Sequence, residues 1–157
     1  MLNSLILQEF LLIEINFFDN NNLPDENEKK AVLDFLYENL ENYGDPKADI
    51  LKAIDYALKL SESFGGFVLS GTENGKVIGA VVVNKTGMKD YIPENVLVYI
   101  ATHKDHRGKG IGKKLMLKAV AAAEGSLALH VEPDNPARFL YEKIGFTTKY
   151  IEMRYKK

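Results

Sequence analysis

The chain has 157 residues, a formal net charge of -2, 46% hydrophobic and 27% charged residues, and no cysteine. Such a chain forms one globular domain, read here as residues 1–157, and the missing cysteine excludes disulfides, thiolate zinc sites and a cysteine nucleophile. Mild negative charge gives no overall pull toward nucleic acid or an anionic membrane, and His103, His106 and His130 are too scattered for a metal-binding pattern.

The apolar start, residues 1–18, lacks a basic leading segment and is interrupted by Gln8, Glu9 and Glu14. It therefore reads as neither signal peptide nor membrane span, and the expected location is cytoplasmic. Residues 6–18 are rich in Leu, Ile and Phe and are expected to form a strand or strand pair. After the break at 19–24, Asp25 with Glu28 predicts a capping box, and Val32, Phe35, Leu36 and Leu40 follow at helical spacing. Asp45-Pro46 predicts a cap and first residue for a second helix, with Ile50, Leu51, Ile54, Ala57 and Leu58 as its buried stripe. Residues 66–70 and 77–84 are strands around a hairpin turn at Asn74-Gly75, and 96–102 is another strand. A third helix is expected over 107–124, a strand over 127–132, a short helix over 136–143 closed by Gly145, and a last strand over 146–155. The order is strand, two helices, three strands, helix, strand, helix, strand, which describes an α/β sheet with helices on its faces.

The most specific local signal is Arg107-Gly108-Lys109-Gly110-Ile111-Gly112, between a strand and a helix. Glycines there turn backbone N–H groups toward an anion at the positive end of the helix dipole, and Lys104, Lys109, Lys113 and Lys114 add positive potential. A Walker loop fails on spacing, because Gly112-Lys113 is followed by Lys114 and no glycine stands five residues before Gly112. A dinucleotide fingerprint starting at Gly108 fails too, because position 113 is Lys113.

This loop resembles that of the GNAT superfamily of acyl-CoA-dependent N-acetyltransferases, whose pattern is Arg or Gln, two residues, Gly, any residue, Gly or Ala. Arg107, Gly110 and Gly112 match its fixed positions. A second stretch, 127–146, with His130, Asn135, Tyr141 and Gly145-Phe146, is similar to the family's C-terminal motif and lies at the expected distance. The resemblance covers residues 6–155. It implies a mixed, mostly antiparallel central sheet with helices on both faces and one or two strands after the last helix. It also implies acetyl-CoA as co-substrate, an amine as acceptor and no metal. The backbone of Arg107, Gly108, Lys109, Gly110, Ile111, Gly112 and Lys113 would hold the pyrophosphate, and the edge of Ile100, Ala101 and Thr102 would pair with the pantetheine arm. In one respect the chain departs from the family. The usual spacing puts Asn seven residues before the Tyr, but Asn135 stands six before Tyr141 and Asp134 takes the seventh place. Counting from Val131 favours Asn135 as the cofactor-contacting amide, and counting from Tyr141 favours Asp134; Asn135 is taken as the contact.

Direct acetyl transfer needs a neutral amine, donors for the oxyanion and a proton for the departing thiolate. By the resemblance, splaying of the central strands frees N–H groups on 98–102, and Tyr141 protonates the sulfur. His130 leads as base because some relatives place a glutamate there, with Glu94 as the weaker alternative. Tyr37, Tyr43, Tyr56, Asp45 and Asp49 are types that suit a cationic amine, but each is more simply explained as a core or surface helix residue, and none is assigned to the site. The other readings are a non-catalytic acyl-CoA-binding or sensor module and a nucleic-acid partner using Lys109, Lys113, Lys114 and Lys118. The second lacks interleaved aromatics and a positive net charge. Exposed strand edges are compatible with a homodimer.

Overall fold

A computed structural model describes residues 13–157. The elements are β1 (Ile13–Phe18), α1 (Glu26–Asn39), α2 (Lys47–Ala57), β2 (Gly66–Glu73), β3 (Lys76–Lys85), β4 (Asn95–Thr102), α3 (Ile111–Ala122), β5 (Leu127–Leu129) and α4 (Ala137–Ile144). Single 3-10 turns at Glu41–Tyr43 and Lys104–His106 precede α2 and α3. The sheet order is β1-β2-β3-β4-β5, antiparallel through β4 and parallel between β4 and β5. The part of the expected first strand over 6–12 lies outside the described residues.

Local signals set most of these boundaries. The Glu28 N–H donates to Asp25 Oδ1 at 2.7 Å and the Asp25 N–H to Glu28 Oε1 at 3.0 Å, so the capping box opens α1 as expected. Asn74 and Gly75 both take positive φ, 51° and 77°, the geometry whose twist matches a two-residue hairpin between β2 and β3. The expected cap at Asp45 is not used. Pro46 occupies the cap position of α2 without a side-chain bond, and Asp45 turns instead to the sheet, where it accepts from Tyr99.

Helices cover both sheet faces. Val32, Phe35 and Leu36 of α1 with Ile50 and Ile54 of α2 bury against Val68, Ala80, Val82, Tyr99 and Ala101. On the other face Ile111, Leu115, Met116 and Ala119 of α3 and Tyr141 of α4 bury against Phe67, Leu69, Val81, Val83 and Leu97. Burying each large apolar side chain contributes about 1.5–3 kcal/mol, so the two layers hold the sheet on both sides.

The fold departs from expectation after β5. That strand stops at Leu129 instead of 132, and residues 146–157 form no strand: Tyr150, Ile151, Met153 and Tyr155 are all strongly exposed. An alternating pattern fixes which side chains share a face but supplies no neighbour to bond with, and only a paired segment is a strand. Five strands are therefore present among the described residues, in place of six or seven.

Candidate active site at the diverging strands

The site begins with a bulge in β4. Tyr99 pairs with Val82 but Leu97 pairs with Val83, so Val98 is an extra residue in the ladder. One inserted residue flips the side-chain alternation. Leu97 faces α3, whereas Tyr99 and Ala101 face α1 and α2.

Beyond the bulge β4 loses its parallel neighbour. The β4–β5 pairing runs only through Asn95, Val96 and Leu97, opposite Leu127, Ala128 and Leu129. His103 donates its N–H to the Ile78 carbonyl at 2.8 Å, and ladder bonding alternates along an antiparallel strand. Tyr99 and Ala101 therefore bond β3, and Ile100 and Thr102 turn their N–H and C=O groups to the open side. The Arg107 Nε reaches the Thr102 carbonyl from there, at 3.3 Å.

The glycine loop stands at the end of this open edge. Gly108 and Gly110 have φ of 78° and 80°, which no α-helix accommodates, so α3 starts at Ile111 and not at the expected 107. A methyl group at Gly108 would meet nothing within 4 Å, and no side chain caps Gly110, so the loop forms an open cradle at the head of α3. The first N–H groups of the helix lack intrahelical acceptors, an arrangement suited to an anion. Ile111 is buried, which leaves only its backbone to serve a ligand, and Ala101 is buried with its backbone bonded to β3, whereas Lys109 and Lys113 are exposed. The loop's own support is polar. His106 Nε2 is 2.8 Å from Glu73 Oε2, and His103 Nδ1 accepts from the Asp105 N–H.

Sequence-distant parts meet at Gly112. A methyl group there would lie 3.5 Å from both Thr102 Oγ1 and Leu140 Cδ2, so the end of β4, the head of α3 and α4 adjoin. Tyr141 follows Leu140, is 8% exposed and tilts against Phe146 with ring centroids 6.1 Å apart. Burial pushes its phenol up from the ordinary tyrosine range, which keeps the proton on the oxygen. Asn135 Oδ1 accepts from the Ala137 N–H at 2.9 Å and so helps to start α4, a bond that does not use its amide N–H₂. Asp134 is exposed, as is His130, which stands just past the end of β5 and not within the strand.

Sequence reasoning missed how the loop before α2 reaches this place. Tyr43 lies near Asp134, Glu132 and Glu41; burial first, and then those carboxylates, push its phenol up. Asp134 and Glu132, in the β5–α4 connection, are thus within electrostatic range of Tyr43, in the α1–α2 connection. Of the other aromatics weighed for an amine pocket, Tyr56 bonds the Lys85 carbonyl at 2.7 Å and Tyr37 takes the Lys47 ammonium over its ring. Both are occupied structurally. Glu94 accepts from the N–H groups of Ser126 and Asp90, and these bonds hold its carboxyl below the usual range, the wrong direction for a base.

Residues 30–146, most of the chain and including both the open strand and the glycine loop, match the Acetyltransferase (GNAT) family. The chain belongs to the GNAT family. GNAT proteins are acyltransferases with acetyl-CoA as co-substrate. Among curated relatives, the [Ribosomal protein bS18]-alanine N-acetyltransferase of Haemophilus influenzae is 34% identical over 87 residues, 53% of this chain. That stretch spans only 56% of the relative's length, a little over half. Solved GNAT structures share the fold. The ribosomal-protein-alanine N-acetyltransferase of Brucella melitensis aligns over 92% of this chain and 99% of its own with a TM-score of 0.61 and 20% identity. The aminoglycoside N-acetyltransferase AAC(6')-Iy, in complex with CoA, aligns over 92% and 94% with a TM-score of 0.63 and 17% identity. No helix among the described residues is long and apolar enough to cross a membrane, and none of their His, Cys, Asp and Glu side chains cluster as metal ligands.

Proposed function

We propose that this GNAT domain, taken as one unit over residues 1–157, transfers an acetyl group directly from acetyl-CoA to a primary amine of a small molecule or peptide, within a ternary complex. The observation that carries the reading is the continuity of the open β4 edge with the glycine cradle at the head of α3. Backbone donors for phosphates and a strand-like edge for an extended amide arm stand in line, which is the shape of coenzyme A. The N–H groups of Gly108, Lys109, Gly110, Ile111, Gly112 and Lys113 hold the pyrophosphate, the Arg107 N–H being kept by the Lys104 carbonyl. The open-side groups of Ile100 and Thr102 pair with the pantetheine arm, Ala101 between them being bonded to β3, and the Asn135 amide donates to the same arm. Acetyl-CoA supplies an activated thioester.

The protein's part in the reaction is polarisation and proton movement. N–H groups on the open stretch of β4 face the carbonyl oxygen, where negative charge grows, and need no reorganisation because the sheet already fixes them. Tyr141 holds a proton that burial keeps in place until a basic thiolate departs. His130, exposed at the mouth beyond β5, accepts the proton of the incoming amine. Glu41, Glu132 and Asp134 around Tyr43 give that mouth a negative potential suited to a cationic amine.

Calorimetric titration with acetyl-CoA, followed by amine-dependent release of free coenzyme A, tests the proposal. Binding in the micromolar range that is lost in Gly110→Glu is expected. Tyr141→Phe is expected to bind acetyl-CoA as the wild type does while turnover falls about a hundredfold. His130→Gln is expected to lower turnover while acetyl-CoA binds as it does to the wild type. No binding by the wild type rejects the reading; binding without turnover on any amine leaves an acyl-CoA sensor.

A further inference from the structure

One ion pair crosses from the cofactor loop to the opposite side of the mouth. Arg107 Nη2 lies 3.2 Å from Glu41 Oε1, a contact between residues 66 positions apart. Glu41 opens the 3-10 turn Glu41–Tyr43 and holds φ at 54°, a left-handed conformation that a glutamate adopts only under constraint. Both side chains are about half exposed, 48% and 51%, and pairs so exposed add little stability. Its effect is on charge instead, since Glu41 neutralises the guanidinium at the first residue of the anion-binding loop. The same guanidinium reaches back through Nε to the Thr102 carbonyl on the open edge of β4. Arg107 is thus the point where the cofactor loop, the open strand and the loop ahead of α2 are joined.

We propose that Glu41 is a positioning residue that competes with the phosphates of the acyl donor for Arg107, and so couples filling of the cofactor loop to the placement of residues 40–46 on the acceptor side. This rests on the acetyl-CoA reading above. When phosphates take the guanidinium, Glu41 is released, its strained turn relaxes, and Tyr43 with it is free to meet the amine. Coupling of this kind is reciprocal: an acceptor that draws residues 40–46 inward frees Arg107 and tightens acetyl-CoA by the same factor.

The test compares acetyl-CoA with acetyl-pantetheine, which carries the same thioester arm without the pyrophosphate. Glu41→Gln is expected to bind acetyl-CoA about fivefold more tightly. Its affinity for acetyl-pantetheine is expected to match the wild type, and Glu41→Asp, which keeps the charge, is expected to restore wild-type behaviour. In an Arg107→Gln background the Glu41→Gln change is expected to have no effect on acetyl-CoA affinity. Unchanged or weaker acetyl-CoA binding in Glu41→Gln overturns the proposal, as does equal tightening toward acetyl-pantetheine. If the wild type binds no acetyl-CoA, the acetyltransferase reading falls with it; if the wild type binds and Glu41→Gln is indistinguishable from it, only the coupling falls.

Discussion

The Tyr99 phenol donates to Asp45 Oδ2 at 2.5 Å, joining residues 54 positions apart and fixing the loop ahead of α2 to β4 one residue past its bulge. The Tyr99 ring is buried in the α1–α2 layer, whereas Asp45 is exposed. Tyr99→Phe therefore leaves a carboxylate that water can still solvate, and its cost falls near about 1 kcal/mol. A drop in melting temperature of about 2–4 °C is expected by calorimetry.

The same pair dictates a response to alkali. Burial first, then the hydrogen bond and charge of Asp45 and the charge of Asp49, push the Tyr99 phenol well above its ordinary value. The folded state keeps the proton where the unfolded chain releases it, near pH 10. This stabilisation is fully present below that pH and is lost as pH rises toward the folded value. Melting temperature is expected to fall more steeply above about pH 10 in the wild type than in Tyr99→Phe.

The loop glycines are expected to divide by backbone conformation. Gly110→Ala forces a side chain into the left-handed region at a cost of about 1–2 kcal/mol, so acetyl-CoA binding should weaken about tenfold. Gly112 lies within α3 at ordinary φ, and a methyl group there meets neighbours at 3.5 Å, ordinary contact. Gly112→Ala is expected to melt at or above the wild-type temperature and to bind acetyl-CoA with unchanged affinity, read by calorimetry on both variants.

Glu94 offers a contrast between structure and chemistry. Its carboxylate accepts N–H groups of Ser126 and Asp90 and is held below the usual range by the backbone bonds to Ser126, to its own residue and to Asp90. The stabilisation is present above the unfolded value, near about pH 4.3, and is lost as pH falls through the lower folded value. Glu94→Gln is expected to melt below the wild type at pH 7 and to converge with it in acid. The pH dependence of turnover should not move.

What the sequence made legible was local. The Asp25–Glu28 capping box, the Asn74-Gly75 turn and the glycine loop each act within a few residues, and each is where its pattern puts it. The α1 and α2 stripes were readable for the same reason, since helical spacing carries its own periodicity. Features that depend on distant partners were not. Asp45 has the sequence of a helix cap, but the Tyr99 hydroxyl competes for it. No spacing announces that β5 stops at Leu129 or that Val98 is an inserted residue. Nor does an alternating run at 146–155 supply a strand to bond with. Arg107 was readable as part of a motif, yet its partner Glu41 was not, because charge pairing across 66 positions leaves no trace in local pattern.

The abrupt end of the β4–β5 ladder also bears on solubility. Beyond the bulge, the Ile100 backbone groups and the Thr102 N–H turned to the open side are a template for any extended peptide, including another copy of the same chain. A pantetheine arm laid along Ile100 and Thr102 would mask that template while stabilising the native state by mass action. Purification with coenzyme A in the buffer would then yield a less aggregated protein than purification without it.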